Sequence, residues 1–233
     1  MAELTGFERR RYVQGMFARI ARHYDLMNRL MTFGQDVRWR VEVIRRAALT
    51  NHDRLLDLGA GTGDLALEAL RQRPDCQFVA ADFTLPMMRL GRRRPQAERL
   101  HWAAADASSL PFPEASFTAV VSGFLLRNVS ELPACLREQW RVLIPGGRIV
   151  ALDTTRPTQN VFTPLINFHL HTLIPVIGGW ISGSSEAYRY LPDTTAGFLT
   201  AEALAERMIA AGFSQVGFRR LMFGMVAIHW GVK

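Results

Sequence analysis

The 233-residue chain is short of cysteine and nearly devoid of lysine, and each shortage narrows what it can be. Cys76 and Cys135 are the only cysteines, far apart and outside any Cys-x-x-Cys or Cys/His spacing. That excludes a disulfide scaffold and a cysteine zinc centre. Two free thiols in a reducing compartment are expected, with no metal. Lys233 is the sole lysine, which leaves every other one of the 28 cationic residues an arginine. The arginines are scattered apart from the runs Arg9 to Arg11 and Arg92 to Arg94. The net charge of +7 therefore favours anionic surfaces in general but marks no nucleic-acid groove, and no nucleic-acid partner is expected. Behind Met1 to Tyr12 there is no apolar stretch of the kind a secretory signal needs, which points to a cytoplasmic protein. An uninterrupted apolar run is missing too. The uncharged stretch between Arg156 and Glu186 is broken by Asn160, Asn167, His169, His171, three prolines and Gly178-Gly179. It is a poor spanning helix and is expected instead to cover a pocket and to dip into the inner membrane face.

What remains, 48% hydrophobic and 21% charged, is enough for one sizeable core and excludes a disordered or collagen-like chain. From Glu8 to about Leu49, apolar residues recur at helical spacing (Val13, Met16, Phe17, Ile20, Tyr24, then Val37, Val41, Ile44, Ala48). This predicts two helices broken at Phe33-Gly34. Residues 1–50 are thus expected to form helices capping a core of residues 51–233. In that core, strands near Arg54 to Leu58, Phe78 to Asp82, Trp102 to Asp106, Thr118 to Ser122 and Arg148 to Asp153 alternate with helices from Gly63 to Arg73, Leu85 to Arg93 and Leu132 to Leu143. Pro145-Gly146-Gly147 ends the last of these helices. The alternation predicts an α/β fold with a parallel sheet covered on both faces. A helical insertion at about 156–200 follows, then a helix from Ala201 to Ala211 and a hairpin of Gln215 to Met222 with Met225 to Val232.

The strongest local signal is Leu55-Leu56-Asp57-Leu58-Gly59-Ala60-Gly61-Thr62-Gly63-Asp64, a strand running into a glycine-rich turn that opens a helix. Glycine there lets backbone approach a ligand, and the helix start offers free amide donors. Asp82 ends the next strand 19 residues after Gly63, where an acid can accept from both hydroxyls of a ribose. The spacing is GxGxG rather than GxGxxG, which weakens a pyrophosphate reading. Asp106, beside Ala107 after the third strand, is placed to accept from an adenine amine while Ala107 offers its amide. Capping of a helix or loop is the plainer role for either acid.

The glycine loop, Asp82, Asp106-Ala107 and Pro145-Gly146-Gly147 resemble the class I methyltransferases that use S-adenosylmethionine. Tyr24-Asp25-Leu26-Met27-Asn28, Leu126-Arg127-Asn128-Val129, Tyr188-Arg189-Tyr190-Leu191 and Val226-Ala227-Ile228-His229 resemble more closely the menaquinone and ubiquinone C-methyltransferase family. The likeness spans nearly the whole chain. It implies a Rossmann-like, seven-stranded sheet whose last strand is antiparallel. It also implies S-adenosylmethionine contacts at Gly59, Gly61, Thr62, Asp82, Phe83, Asp106, Ala107 and Ser122, and a ring-methylated polyprenyl hydroquinone as product. Two departures stand out. The family usually reads Ser-Phe-Gly-Leu-Arg-Asn after the fourth strand, against Ser122-Gly123-Phe124-Leu125-Leu126-Arg127-Asn128 here, which leaves the direction of Arg127 open. Ala196-Gly197-Phe198-Leu199-Thr200 replaces a stretch with a basic residue and a Pro-Asp pair.

An oxidised quinone ring is too electron-poor to attack a methyl group, whereas a hydroquinone with one ionised hydroxyl can do so. If its phenol resembles tyrosine, ionising it at neutral pH costs roughly 4 kcal/mol. Arg127 is the first candidate to stabilise that oxyanion, although spacing equally allows a surface pair with Glu131. Tyr24 and Asp25 are candidates for closing the pocket or taking the proton. Asn128, His169, Tyr188 and Arg189 are candidates for holding the acceptor, with Val161 to Ile181 covering its tail. A second copy of the chain is a further expected partner. Other readings are the same cofactor on another lipophilic acceptor, such as a phospholipid amine or a different quinol, and a non-catalytic binding protein on the same fold.

Overall fold

Leu55 and Leu56 are adjacent and both fully buried, one in each of two separate apolar clusters, because side chains alternate across the strand that carries them. That strand, β1 (Arg54–Leu58), lies near the middle of a sheet covered by helices on both faces. The structure is a computed structural model, described for residues 6–156, 194–195 and 197–233, apart from the side chains of Phe7, Arg9, Arg10 and Tyr24. The expected insertion falls almost wholly outside these residues.

On one side β1 pairs in parallel with β2 (Gln77–Asp82), which pairs with β3 (His101–Ala104). On the other side it pairs in parallel with β4 (Phe117–Gly123), and β4 with β5 (Leu143–Thr154). The final hairpin completes the sheet: β7 (Val226–Val232) runs antiparallel to both β5 and β6 (Ser214–Leu221). The order is β3-β2-β1-β4-β5-β7-β6, the seven-stranded sheet with an antiparallel last strand that was expected.

Helices α1 (Gly6–Ile20), α2 (Tyr24–Met31) and α3 (Gln35–Ala47) precede the sheet, and α4 (Asp64–Gln72), α5 (Leu85–Gly91), α6 (Leu132–Val142) and α7 (Ala201–Ala210) connect its strands. Trp39, Val43 and Ile44 of α3 and Leu65, Ala66 and Ala69 of α4 cover one face, against Leu55, Val121 and Val150. Leu136 of α6 and Met208 of α7 cover the other, against Leu56, Val120 and Ile149. Each large side chain buried this way contributes roughly 1.5–3 kcal/mol. Val13, Met16, Ile20 and Met27 form a third cluster, joining α1 to α2 against Phe83.

Three local expectations are corrected. The N-terminal segment forms three helices, since the chain also turns at Ala21–His23, where the His23 amide donates to the Ile20 carbonyl at 2.9 Å. No Gly or Pro marks that turn, and the apolar spacing runs across it because Ile20 and Met27 enter the same cluster. β3 stops at Ala104, before Asp106, whose Oδ1 accepts from the Ser108 amide at 2.8 Å, a local turn that replaces strand pairing. β5 starts at Leu143, directly after α6, so Pro145-Gly146-Gly147 lies within the strand, beside a register shift between Phe117 and Ala119.

Candidate active site

Chain order reverses between β1 and β4: from β1 the chain moves outward to β2 and β3, then returns to place β4 on the other side. Loops leaving the carboxyl ends of these two strands part in opposite directions and open a crevice. It is an open cleft, with the glycine loop after β1 on one side and Gly123 at the end of β4 with Phe124 and Leu125 on the other. Val13 and Phe17 of α1 and Asn28 of α2 contribute a third wall.

The glycine loop cannot carry side chains where it meets these walls. Gly59 has φ +71°, and a Cβ there would lie 2.8 Å from Cδ1 of Leu125. At Gly61, with φ +56°, a Cβ would lie 3.1 Å from Cε of Met87. Three buried or half-buried acids set the loop's shape. Asp82 accepts from the amides of Gly61 (2.8 Å) and Thr84 (2.6 Å), so it pins the loop while lining the cleft. Burial pushes its carboxyl above the ordinary range, against the pull of those amides. Asp57 Oδ2 accepts from the Ala66 amide at 3.0 Å, which anchors the first turn of α4. Its Oδ1 is buried without a partner. Burial, more than the nearby Asp64 and Asp82, pushes the Asp57 carboxyl up to about 7, with Ala66 and Arg40 acting the other way. Asp25 accepts from Thr62 Oγ1 at 2.9 Å, and its carboxyl is raised first by burial and then by Asp64.

Around that contact runs a chain of charges from α3 through the start of α4 to the turn after α5. Arg40 pairs with Asp36 and Asp64, each at 2.8 Å, and Arg94 pairs with Asp64 at 2.6 Å and donates to the Thr62 carbonyl at 3.1 Å. None of Asn28, Arg40, Asp64 or Arg94 was singled out as a site residue from sequence. Asn28 and Asp64 stand inside motifs quoted there, and Arg94 in a basic run, so position signalled them but chemistry did not. Asn28 is 93% buried, and its Nδ2 has no partner among the described residues.

Of the expected cofactor residues, Gly59, Gly61, Thr62, Asp82, Phe83, Asp106 and Ala107 all line the cleft. Ser122 does not: it is buried on β4 behind Gly123 with its Oγ unpartnered. Asn128 lines the cleft and donates to the Phe124 carbonyl at 2.9 Å. Arg127 is only 5% exposed and stands off the cleft wall, its NH1 3.4 Å from Asp153 Oδ1 and its Cζ 5.1 Å from the centre of the Phe124 ring. The surface pair with Glu131 is replaced by this buried one. Beside it, Phe124 takes φ +58°, a left-handed conformation that glycine adopts freely and phenylalanine at a cost of about 1 kcal/mol. Asp25 accepts from Thr62 and does not line the cleft itself. The side chain of Tyr24, and all of His169, Tyr188 and Arg189, lie outside the described residues. His229, quoted in the last motif, is buried on β7 and donates from Nε2 to the Ala201 carbonyl at 2.9 Å, which fixes the start of α7. Burial holds its pKa below the ordinary value. Among the described residues no cluster could hold a metal, and no helix is long and apolar enough to cross a membrane.

These residues fit S-adenosylmethionine. The glycine cradle admits a ligand close to backbone, Asp82 and Asp106 offer carboxylates at successive strand ends, and the unpartnered Asp57 oxygen suits a cationic ligand. Fold and cleft together define a Rossmann-like methyltransferase of class I. Solved structures share the fold. The [4+2]-cyclase SpnF matches with a TM-score of 0.68 at 20% identity, over 95% of this chain and 94% of that one. The phosphoethanolamine N-methyltransferase 2 of Haemonchus contortus, crystallised with S-adenosyl-L-methionine, matches with a TM-score of 0.64 at 15% identity, over 84% and 52%.

The chain belongs to the ubiE/COQ5 methyltransferase family, whose model matches residues 5–233, and it is an S-adenosylmethionine-dependent methyltransferase. It is 44% identical to the demethylmenaquinone methyltransferase of Thermus thermophilus, over 93% of this chain and 99% of that protein. It is 42% identical to the ubiquinone/menaquinone biosynthesis C-methyltransferase UbiE of Desulfotalea psychrophila, over 95% and 90%.

Proposed function

We propose that the protein transfers a methyl group from S-adenosylmethionine to a ring carbon of a reduced, demethylmenaquinol-like polyprenyl quinol. The observation that carries this reading is the lining of the cleft: carboxylates and glycine backbone on one side, Phe124, Leu125 and Val129 beyond β4 on another, and Val13 and Phe17 of α1 on the third. An apolar wall facing a cofactor loop suits a flat, lipophilic ring, and the names of the relatives favour a quinone acceptor over a phospholipid amine or a non-catalytic role.

When bound, S-adenosylmethionine supplies an electrophilic methyl group on a sulfonium. Gly59, Gly61 and Asp82 would hold its adenosine end and Asp106 with Ala107 its base, leaving the β4 wall to the acceptor. The enzyme's main task is then alignment, since holding two reactants in line can supply most of the acceleration. Its second task is electrostatic. Phe124 forms the wall against which the ring stacks, and the Arg127 guanidinium lies directly behind that wall in a dry environment, where its charge favours a phenolate in front. Asp153 keeps the guanidinium in place. Asp25 closes α2 onto the cofactor loop through Thr62 and so acts as a positioning residue. In the same reading the long tail leaves the cleft, and the enzyme works at a membrane surface.

Mass spectrometry of quinones from cells with and without the gene tests this. Loss of the gene is expected to accumulate a quinone lighter by one methyl group. An unchanged quinone profile overturns the reading.

A further inference from the structure

Large apolar side chains that remain exposed are concentrated in one place. Eight such residues occur among those described, and five of them, Leu26, Leu30, Phe33, Val37 and Val41, fall within the 16 residues from Leu26 to Val41. Leu26 and Leu30 stand one turn apart on α2, and Val37 and Val41 one turn apart on α3, so each pair shares a helix face. The two helices touch, and Phe33, 69% exposed, sits at their junction.

Charge in this stretch is sorted by direction. The exposed residues that carry charge, Arg22, Arg29, Arg38 and Arg45, are cationic, Arg45 being paired with Glu42, and the partly exposed acid Asp25 is bonded to Thr62. Every acid is turned inward or engaged: Asp25 on Thr62, Asp36 fully buried against Arg40 and Thr32, and Glu42 holding Arg45 and Arg46. A solvated surface mixes both signs. Apolar side chains among arginines match the boundary of an anionic bilayer, where the former enter the acyl region and the latter meet phosphates.

We propose that the outer face of α2 and α3 docks the enzyme on anionic lipid. α2 also presents Asn28 to the cleft, so a bilayer bound to its outer side lies one helix thickness from the site. For the acceptor this inference rests on the proposed function, because a polyprenyl quinol resides in that bilayer.

Vesicle co-sedimentation of the full chain, with phosphatidylcholine vesicles containing or lacking phosphatidylglycerol, tests the proposal. Binding is expected to require phosphatidylglycerol and to weaken with added salt. Leu30→Ser with Phe33→Ser is expected to lower the association constant roughly tenfold or more, and Arg29→Glu with Arg38→Glu to remove the salt-dependent part. Both variants are expected to turn over a short-tailed, water-soluble quinol at the parent rate without vesicles, which shows that fold and chemistry are intact. The proposal is overturned if the parent ignores anionic vesicles or if both variants bind like the parent. It is also overturned if ultracentrifugation shows a parent dimer that Leu30→Ser with Phe33→Ser dissociates, since the face is then an interface between copies. A parent that binds vesicles through this face but methylates no quinol contradicts the proposed reaction and leaves the docking surface standing.

Discussion

Asp25 accepts a hydrogen bond from Thr62 Oγ1 at 2.9 Å, which makes the helix beside the cleft and the glycine loop one bonded unit. The loop's conformation therefore depends on a residue 37 positions earlier in the chain. Asp25→Ala is expected to weaken S-adenosylmethionine binding by roughly tenfold, the scale of one charge-assisted hydrogen bond. Because Asp25 is 39% exposed, the stability loss is expected to be about 1 kcal/mol or less. Calorimetry and thermal melts read the two effects separately. Unchanged cofactor affinity would detach α2 from the loop.

Arg127 and Asp153 are both nearly fully buried, at 4% and 1% side-chain exposure, and removing Arg127 takes from the buried Asp153 carboxylate its paired cation. Arg127→Met is expected to cost about 3–5 kcal/mol of stability, and Arg127→Met with Asp153→Asn to recover most of it. If the guanidinium favours the phenolate through the Phe124 wall, the double variant still methylates slowly, by about 10²-fold, although it is folded. A folded double variant with a normal single-turnover rate would make Arg127 a structural residue only.

The residues expected on the cofactor side were readable because their signals are local. Gly59, Gly61, Asp82 and Asp106 stand at or just beyond the ends of β1, β2 and β3, and all four line the cleft. The acceptor half was less so, since Arg127 is defined by Asp153, 26 residues away and without a motif of its own. Ser122 shows a second limit: alternation along β4 turns its side chain away from the cleft while Gly123 forms the wall. The ion chain of Arg40, Asp64 and Arg94 was invisible for the same reason as Arg127. Its members are surface-type residues in sequence that only packing brings together.

Asp57 carries a carboxyl raised from 3.8 to about 7 by burial. Between those values the unfolded carboxyl is ionised while the folded one holds its proton, so stability falls as pH rises through that window and is level above it. Asp57→Asn is expected to flatten this slope in denaturant titrations. A cationic cofactor favours the ionised form, so binding near pH 6 is expected to release a proton. Calorimetry in buffers of different ionisation enthalpy detects the release, and its absence in the parent would remove Asp57 from the cofactor's surroundings.

Asn28 places a buried, unpartnered amide donor at the cleft. Asn28→Leu breaks no hydrogen bond of that nitrogen and relieves an unsatisfied group, so stability is expected to hold or rise by about 1 kcal/mol. If the donor serves a bound ligand, affinity for cofactor or acceptor falls roughly tenfold in the same variant. Lost stability with unchanged affinity for both would assign Asn28 to packing.

The central claim is methyl transfer to the ring carbon of a reduced quinol, and single turnover with methyl-labelled S-adenosylmethionine tests it most directly. The acceptor, a demethylmenaquinone, is presented either kept reduced or kept oxidised, and the product is located by mass spectrometry and carbon NMR. Label is expected on a ring carbon from the reduced acceptor, with none from the oxidised one. Label on a hydroxyl oxygen, or equal transfer to the oxidised ring, would overturn C-methylation of a reduced quinol.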